Sequence, residues 1–170
     1  KLKTEIEKKL HVAYLRTSIS LEEQFKQIND TFTLITQNSM TNRFLTSDIE
    51  DMTGREAGAM GGTIASLINN AVNSNNVIKS IGLYSPDSGY FLSNSSSGMV
   101  DKLSPKWYKK YLKGGKSEFV YSGGKYITVC HGIYFSGDFT GLIIFELDKE
   151  RLAQKLRLED YKLDIGVVLM

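Results

Sequence analysis

The hydrophobic period of the chain changes near its middle, and this change constrains the fold more than any other feature. Residues 1–45 contain no proline or glycine, and their apolar residues recur mostly three or four positions apart, as on one face of an α-helix. These positions are Ile6, Leu10, Tyr14, Leu21, Phe25, Ile28, Phe32 and Ile35. After the polar run at 73–76, strand-like segments alternate with turn residues. A helical first part and a hairpin-connected sheet predict an α+β fold.

A second helical segment follows the first. Ser47 with Glu50 three residues later fits a capping box, which predicts a helix start at that point. Four glycines follow, and each costs about 1 kcal/mol relative to alanine inside a helix. We therefore expect a broken helix that packs closely against the first one, with helical spacing resumed at 63–77. The glycines are Gly54, Gly58, Gly61 and Gly62.

Five strands are predicted after residue 77, joined largely by hairpins. Two short segments are predicted to form hairpin turns, Ser122-Gly123-Gly124-Lys125 and Ser136-Gly137-Asp138. Both contain glycine, which tolerates the positive φ that such turns require. Consecutive hairpins indicate an antiparallel sheet. A helix is predicted at 148–158 and a further strand at 163–170. The predicted strands are 78–85, 89–94, 118–122, 125–135 and 140–148.

The composition excludes several classes of protein. A hydrophobic content of 41% with 24% charged residues is typical of a globular domain. The net charge of +2 gives no concentrated basic face, so we expect no nucleic acid partner for this fragment. Cys130 is the only cysteine, which rules out an intrachain disulfide. Because it lies in an apolar strand, we interpret it as a buried, inert thiol.

The sequence offers little catalytic chemistry. The two histidines, His11 and His131, are far apart and have no metal-ligand spacing with the single cysteine. Cys130 and His131 cannot act as a pair, because neighbouring side chains of a strand point to opposite faces. Recognised nucleophile, zinc and nucleotide motifs are missing. We therefore predict no enzymatic activity, no metal and no cofactor for this fragment.

Aromatic residues suggest ligand binding instead. Tyrosine and tryptophan combine apolar area with a polar group, which suits a partly wet pocket. For each ring, packing in the core or across a hairpin remains an alternative; Tyr121 and Tyr126 could simply pair across their turn. A short amphipathic helix is expected to carry the Trp-Tyr pair. The predicted ligand-binding residues are Tyr84, Tyr90, Ser93, Lys106, Trp107, Tyr108, Tyr126, Tyr134 and Asp138.

The order of these elements resembles the extracytoplasmic PAS-like sensor domains of the Cache family. A long helix is followed by a strand that ends in a Tyr84-Ser85-Pro86 turn and by the Gly89-Tyr90 continuation. The Trp107-Tyr108 pair and a final strand from Gly141 leading to a helix complete the pattern. The resemblance covers roughly residues 1–158. It implies a five-stranded PAS-like antiparallel sheet flanked by helices, with a small-molecule pocket between the sheet and segment 95–111.

The resemblance breaks down at one position. Amino-acid-sensing members of the family carry an arginine two residues before the Trp-Tyr pair, where this chain has Pro105. The carboxylate clamp is therefore not matched, although Lys106 offers a point charge for an anion. Asp138 is a candidate for the later acidic residue, or simply a turn former. Sugars, peptides, small acids or no ligand at all stay open.

The organisation predicted from the resemblance has three parts. Residues 1–46 form a signalling helix that pairs with a second copy, 47–158 form the sensor domain, and 159–170 form a linker and possible first strand of a second module. We expect a homodimer outside a bacterial, Gram-positive cell membrane, contacting the membrane only through segments beyond this chain. The expected parent is a two-component histidine kinase. Alternatives are a membrane-anchored transcription regulator, a chemoreceptor, a ligand-free dimerisation module, or a cytoplasmic PAS module with haem or flavin.

Overall fold

The computed structural model describes residues 2–47, 51–99 and 119–156, and it has an α+β fold. Among the described residues, three helices precede the sheet and one follows it. The helices are α1 (Leu2–Thr36), α2 (Ser39–Thr46), α3 (Gly54–Ser74) and α4 (Lys149–Lys155). The strands are β1 (Ile78–Ser85), β2 (Tyr90–Ser93), β3 (Ser97–Met99), β4 (Phe119–Gly123), β5 (Tyr126–Phe135) and β6 (Asp138–Asp148).

The strands form one antiparallel sheet in the order β3-β2-β1-β6-β5-β4. The predicted PAS-like antiparallel sheet is confirmed, with six strands instead of five, because the short β3 adds an edge strand. Both predicted hairpin turns are also confirmed. Gly124 has a φ of 52°, and Ser136 and Gly137 have φ values of 53° and 91°. Positive φ in two-residue turns matches the twist of the strands they join. The strand predicted at 163–170 lies outside the described residues.

The predicted long N-terminal helix is divided into α1 and α2. Asn38 has an extended backbone, and its side chain accepts a hydrogen bond from the Met40 N–H at 2.9 Å. This is an N-cap, which satisfies one of the free N–H groups at the start of a helix. The regular apolar spacing across 1–45 therefore spans a break between two helices, which the spacing alone does not reveal.

The capping box predicted at Ser47 depends on Glu50, which lies outside the described residues. Ser47 closes α2, and its N–H donates to the Arg43 carbonyl at 3.0 Å. Helix α3 begins with a capping box at Thr53, whose Oγ1 accepts from the Glu56 N–H at 3.3 Å while the Thr53 N–H donates to Glu56 Oε2 at 3.2 Å. Hydrogen bonds from the Thr53 hydroxyl and N–H, with a smaller contribution from Arg43, lower the pKa of Glu56 below its usual value.

The prediction that the glycines break the second helix is wrong, because α3 runs without interruption from Gly54 to Ser74. A Cβ atom built on any of the four glycines would meet nothing within 4 Å. Close packing therefore does not explain them. Burial of a neighbouring side of α3 holds the helix in place despite their cost in helix propensity; the buried residues are Met60, Ile64, Ile68 and Ala71.

Helices α1, α2 and α3 cover one face of the sheet and form the main core with it. Ile28 and Ile35 of α1 are buried there, as the apolar spacing predicts, but Tyr14 is 70% exposed. Each fully buried aliphatic side chain contributes about 1.5–3 kcal/mol, so the second half of α1 anchors it. In the described part of the chain, no helix is long and apolar enough to span a bilayer.

Two glycine substitutions should have opposite effects on stability. A Cβ at Gly141 would lie 2.6 Å from Leu45 Cδ2 and 2.7 Å from the Tyr84 carbonyl oxygen, so Gly141→Ala should lower the free energy of unfolding by about 1–3 kcal/mol through overpacking. The matched control is Gly62→Ala, which meets open space and should raise it by about 0.5–1 kcal/mol. Urea unfolding monitored by circular dichroism measures both. Equal destabilisation by the two substitutions would contradict this packing.

Candidate ligand-binding site

The sheet has a second apolar face, opposite the helices. Phe91, Cys130, Leu142 and Ile144 are buried in a cluster of their own, against which Tyr84 packs. These five residues are named the second sheet face. Side chains alternate between the two sides of a strand, so β6 sends Leu142 and Ile144 to this face and their neighbours to the helical core. The predicted burial of Cys130 is confirmed, with 1% of the residue exposed.

Gly82 allows an aromatic ring to lie across β1 on the second sheet face. It pairs with Ser93 in the β1–β2 ladder, and a Cβ at this position would lie only 2.4 Å from Cζ of Phe91. Real Cβ atoms do not approach a ring so closely, so the ring position requires glycine here. The Phe91 ring thereby covers the middle of β1 and continues the apolar surface of β6 across to β2.

Glu146 places a carboxylate on the same side of the sheet. It follows Ile144 by two positions on β6, and it pairs with Ser80 on one neighbouring strand and Thr128 on the other. Ser80 Oγ donates to Glu146 Oε2 at 2.6 Å. Glu146 is half-buried, and Thr128 is only 3% exposed. A carboxylate between two hydroxyl-bearing residues, beside an apolar surface, can accept hydrogen bonds from an ammonium or hydroxyl group.

Sequence reasoning missed Glu146 and selected Asp138 as the acidic candidate. Asp138 is exposed and starts β6 directly after the β5–β6 turn, which agrees with a turn-forming role. The signal for Glu146 was available, because it is a single acid in the otherwise apolar stretch from Leu142 to Leu147. A charged residue at a strand position with buried neighbours calls for a partner or a function.

The predicted tyrosines do not all meet in one place. Tyr84 belongs to the second sheet face, and strand alternation puts half-buried Tyr126 on the same side as Cys130. Tyr134 lies beyond a register shift, is 50% exposed, and its ring contacts Phe139 with 5.6 Å between centroids. Lys106, Trp107 and Tyr108 lie outside the described residues. Ligand contacts by these residues stay predictions.

Tyr90 and Ser93 line a different space, a groove between α3 and the β2–β3 hairpin with a volume of about 560 Å³. The ring of Tyr90 meets that of Phe44 edge-on, 6.2 Å between centroids. Ser93 Oγ accepts from the N–H groups of Ser95 at 3.2 Å and Ser96 at 2.9 Å, so Ser93 shapes the hairpin loop. The open glycine face of α3 forms the opposite wall.

Metal binding gains no support from the described ranges. Within 2–47, 51–99 and 119–156, no group of three or more His, Cys, Asp or Glu residues could hold a metal ion. His131 faces the helical core, where its ring contacts Phe32 with 5.7 Å between centroids.

Structural comparison shows which proteins share this fold. The sensory domain of the Campylobacter jejuni chemoreceptor Tlp3 (CcmL) with isoleucine bound superposes with a TM-score of 0.54 at 19% identity, over 91% of this chain and 64% of that one. The GABA complex of the ligand-binding domain of the Pseudomonas aeruginosa PAO1 amino acid chemoreceptor PctC gives 0.52 at 16% identity, over 85% and 66%. The extracellular domain of the candidate histidine kinase vpHK1S-Z8 gives 0.58 at 12% identity, over 91% and 63%.

These similarities confirm the predicted class of fold, that of the PAS-like extracytoplasmic sensory domains. The chain spans about two thirds of the length of each of these domains, 63–66%. No protein-family model matches the chain, and no curated protein matches it by sequence. At identities of 12–19%, these similarities establish the architecture of the chain. They do not identify its ligand or the signalling domain that it controls.

The ring of Phe91 should make Gly82 intolerant of a side chain. Gly82→Ala would drive a Cβ into the ring, so we expect a loss of about 1–3 kcal/mol in the free energy of unfolding. Shortening the ring residue should relieve the clash, so Gly82→Ala combined with Phe91→Leu should be more stable than Gly82→Ala alone. Urea unfolding of Gly82→Ala, Phe91→Leu and the double variant measures this. Additive losses in the double variant would show that Phe91 does not lie over Gly82.

Proposed function

We propose that this chain is the extracytoplasmic ligand-sensing domain of a bacterial transmembrane signalling receptor. The observation that carries the proposal is the shared arrangement of a long N-terminal helix and an antiparallel sheet, which superposes on sensory domains of chemoreceptors and on the extracellular domain of a candidate histidine kinase. The sheet adds a second apolar face with a half-buried carboxylate, which is a suitable surface for a small molecule.

The ligand is proposed to bind at the second sheet face, beneath segment 95–111. Tyr84 supplies an aromatic contact there, and Glu146 supplies the acceptor at one end. The pocket walls predicted at Lys106, Trp107 and Tyr108 belong to that segment and stay part of the proposal. Tyr90 and Ser93 line the groove on the helical side, so they are proposed to shape the β1–β2–β3 region and not to touch this ligand.

A small molecule with an ammonium group fits this surface best. Glu146 accepts hydrogen bonds and carries a negative charge, and charge-assisted bonds of this kind are roughly twice as strong as neutral ones. Domains of the same fold were solved with isoleucine, L-valine and GABA bound, and each of these compounds has an ammonium group. Pro105 in place of the family's arginine leaves the carboxylate end of such a ligand without the usual clamp.

The output of the parent receptor is proposed to be a two-component histidine kinase, with a chemoreceptor as the second candidate. Both classes occur among the proteins of this fold. The candidate kinase domain gives a TM-score of 0.58, and the two chemoreceptor domains described above give 0.54 and 0.52. A location outside the cytoplasmic membrane follows from the same proposal. A Gram-positive source has no support in these similarities and stays a prediction. The chain itself is proposed to lack enzymatic activity.

Helix α1 is proposed to pair with α1 of a second copy. Val12, Leu15 and Ile19 are 45%, 45% and 56% exposed, and their spacing of three and four residues matches successive a, d and a positions of a heptad. β-branched residues at a with leucine at d favour a parallel two-stranded coiled coil. At 3.6 residues per turn, these positions lie on the side of α1 opposite the buried Ile28. This stripe differs from the one that the sequence spacing suggested.

Glu146→Gln tests the ligand proposal. L-Isoleucine, L-valine and GABA are titrated by calorimetry, together with deaminated isoleucine and with an amine of the same carbon skeleton. Compounds with an ammonium group should bind, and Glu146→Gln should weaken binding by roughly tenfold or more, because a hydrogen bond to a charged group contributes about 1.5–3 kcal/mol. The control is Glu150→Gln on the exposed surface of α4. Equal binding of the deaminated compound, or no effect of Glu146→Gln, would contradict this assignment.

Leu15→Glu tests the proposed dimer. A charge at the central d position should dissociate the pair, because a charged group in an apolar seam loses hydration without gaining a partner. Sedimentation equilibrium over a range of concentrations measures the shift from dimer to monomer. Leu34→Glu is the matched control, since Leu34 is 57% exposed on the same helix but lies off the stripe. A wild-type chain that stays monomeric, or equal dissociation by both variants, would argue against this interface.

A further inference from the structure

Residues 75–77, named the junction turn, connect α3 to β1 and also bond to α1. Asn75 is 5% exposed and follows the last residue of α3. Its Oδ1 accepts from the Val77 N–H at 3.1 Å, which fixes the shape of the turn. Its Nδ2 donates to Gln27 Oε1 on α1, also at 3.1 Å. One buried amide therefore sets the turn and attaches it to the N-terminal helix.

The other side of the junction turn bonds to the point where β6 becomes α4. The Asn76 carbonyl accepts from Arg151 Nη1 at 3.0 Å, and the Val77 carbonyl accepts from the Asp148 N–H at 2.8 Å. Asp148 is the N-cap of α4, and its Oδ1 accepts from the Arg151 N–H at 3.0 Å. The cap of α4, its arginine and the end of β6 are thus fixed to the same three residues as α1.

Another residue at position 75 could not form the same two hydrogen bonds as Asn75. A buried amide is retained where hydrogen bonds replace the water that it has lost, and Asn75 uses both an acceptor and a donor in fixed directions. Aspartate in its place would lose the donor to Gln27, and an apolar residue would lose both bonds. Val77 and Ile78, which follow, are almost completely buried at 0% and 2% exposure, so the turn cannot move without disturbing the core.

We infer that the junction turn couples α1 to β6 and α4, so that a displacement of β6 shifts both helices together. Glu146, which is proposed to contact the ligand, precedes the N-cap Asp148 by two positions on β6. The junction turn thus connects the ligand site to both helices, and this regulatory role rests on the proposed function. The coupling itself consists of hydrogen bonds within the chain, so it can be tested with no ligand added.

A double-mutant cycle on the ligand-free chain tests the coupling. Gln27→Met and Arg151→Met each remove one attachment, to Asn75 and Asn76 respectively, while keeping side chains of similar length. Substitutions at independent sites add to within a factor of about two in the unfolding equilibrium constant. We expect the double variant to deviate from the product of the single effects by more than twofold, and agreement within twofold would overturn the inference. The control cycle pairs Gln27→Met with Lys155→Met on the exposed side of α4 and should be additive.

Hydrogen exchange of the same variants gives a second readout. If the turn couples the helices, Arg151→Met should speed exchange in α1 amides around Gln27 as well as in α4. Amides exchange through local openings, and segments that open as one cooperative unit are destabilised together. Faster exchange confined to α4 would overturn the inference. Arg151→Lys replaces Arg151→Met in both measurements if the latter does not fold. Since no ligand is added, failure of all ligands to bind would refute the proposed function and leave this coupling intact.

Discussion

The pairing of β1 with β6 at the centre of the sheet is the constraint on which the rest of the structure depends. Both strands are buried on two sides: Leu83 and Phe145 face the helices, while Tyr84 and Ile144 face the other way. A sheet that is apolar on both faces needs a cover on each, and a layered domain follows from that requirement. Helices α1 to α3 supply one cover. The second sheet face is the surface to which the proposed ligand is assigned.

Local signals predicted the sheet well, since strand alternation and turn chemistry act over a few residues. The limits of β1 agree with the predicted 78–85, and both glycine-containing hairpins form where expected. The helical region was harder. Ser47 with Glu50 and Thr53 with Glu56 both satisfy the spacing of a capping box. Helix α3 begins after Thr53, so this spacing alone did not locate the start of that helix. Likewise the glycines of α3 predict a break by propensity, but burial of a neighbouring side of the helix outweighs that cost.

The site could be predicted only in part, because closeness in sequence does not determine which face of a sheet a side chain occupies. Tyr84 and Tyr90 flank the same short turn, and sequence reasoning assigned them to one pocket. The register pairs Tyr84 with Phe91, and this pairing sends Tyr90 to the helical side. A shift of one residue would have exchanged the two tyrosines. Glu146 was missed for a related reason: its importance depends on the neighbouring strands, which supply Ser80 and Thr128 beside it.

The two faces are mechanically connected because they share β6. Ile144 and Glu146 lie on the side of the proposed ligand, while Ile143 and Phe145 alternate with them towards the helices. Close-packed interiors change between discrete arrangements instead of deforming continuously. β6 and α2 are in close contact at Gly141, where an added methyl group would clash with Leu45 of α2. A ligand therefore needs only to prefer one position of β6 over another, since the helices packed against that strand must follow it.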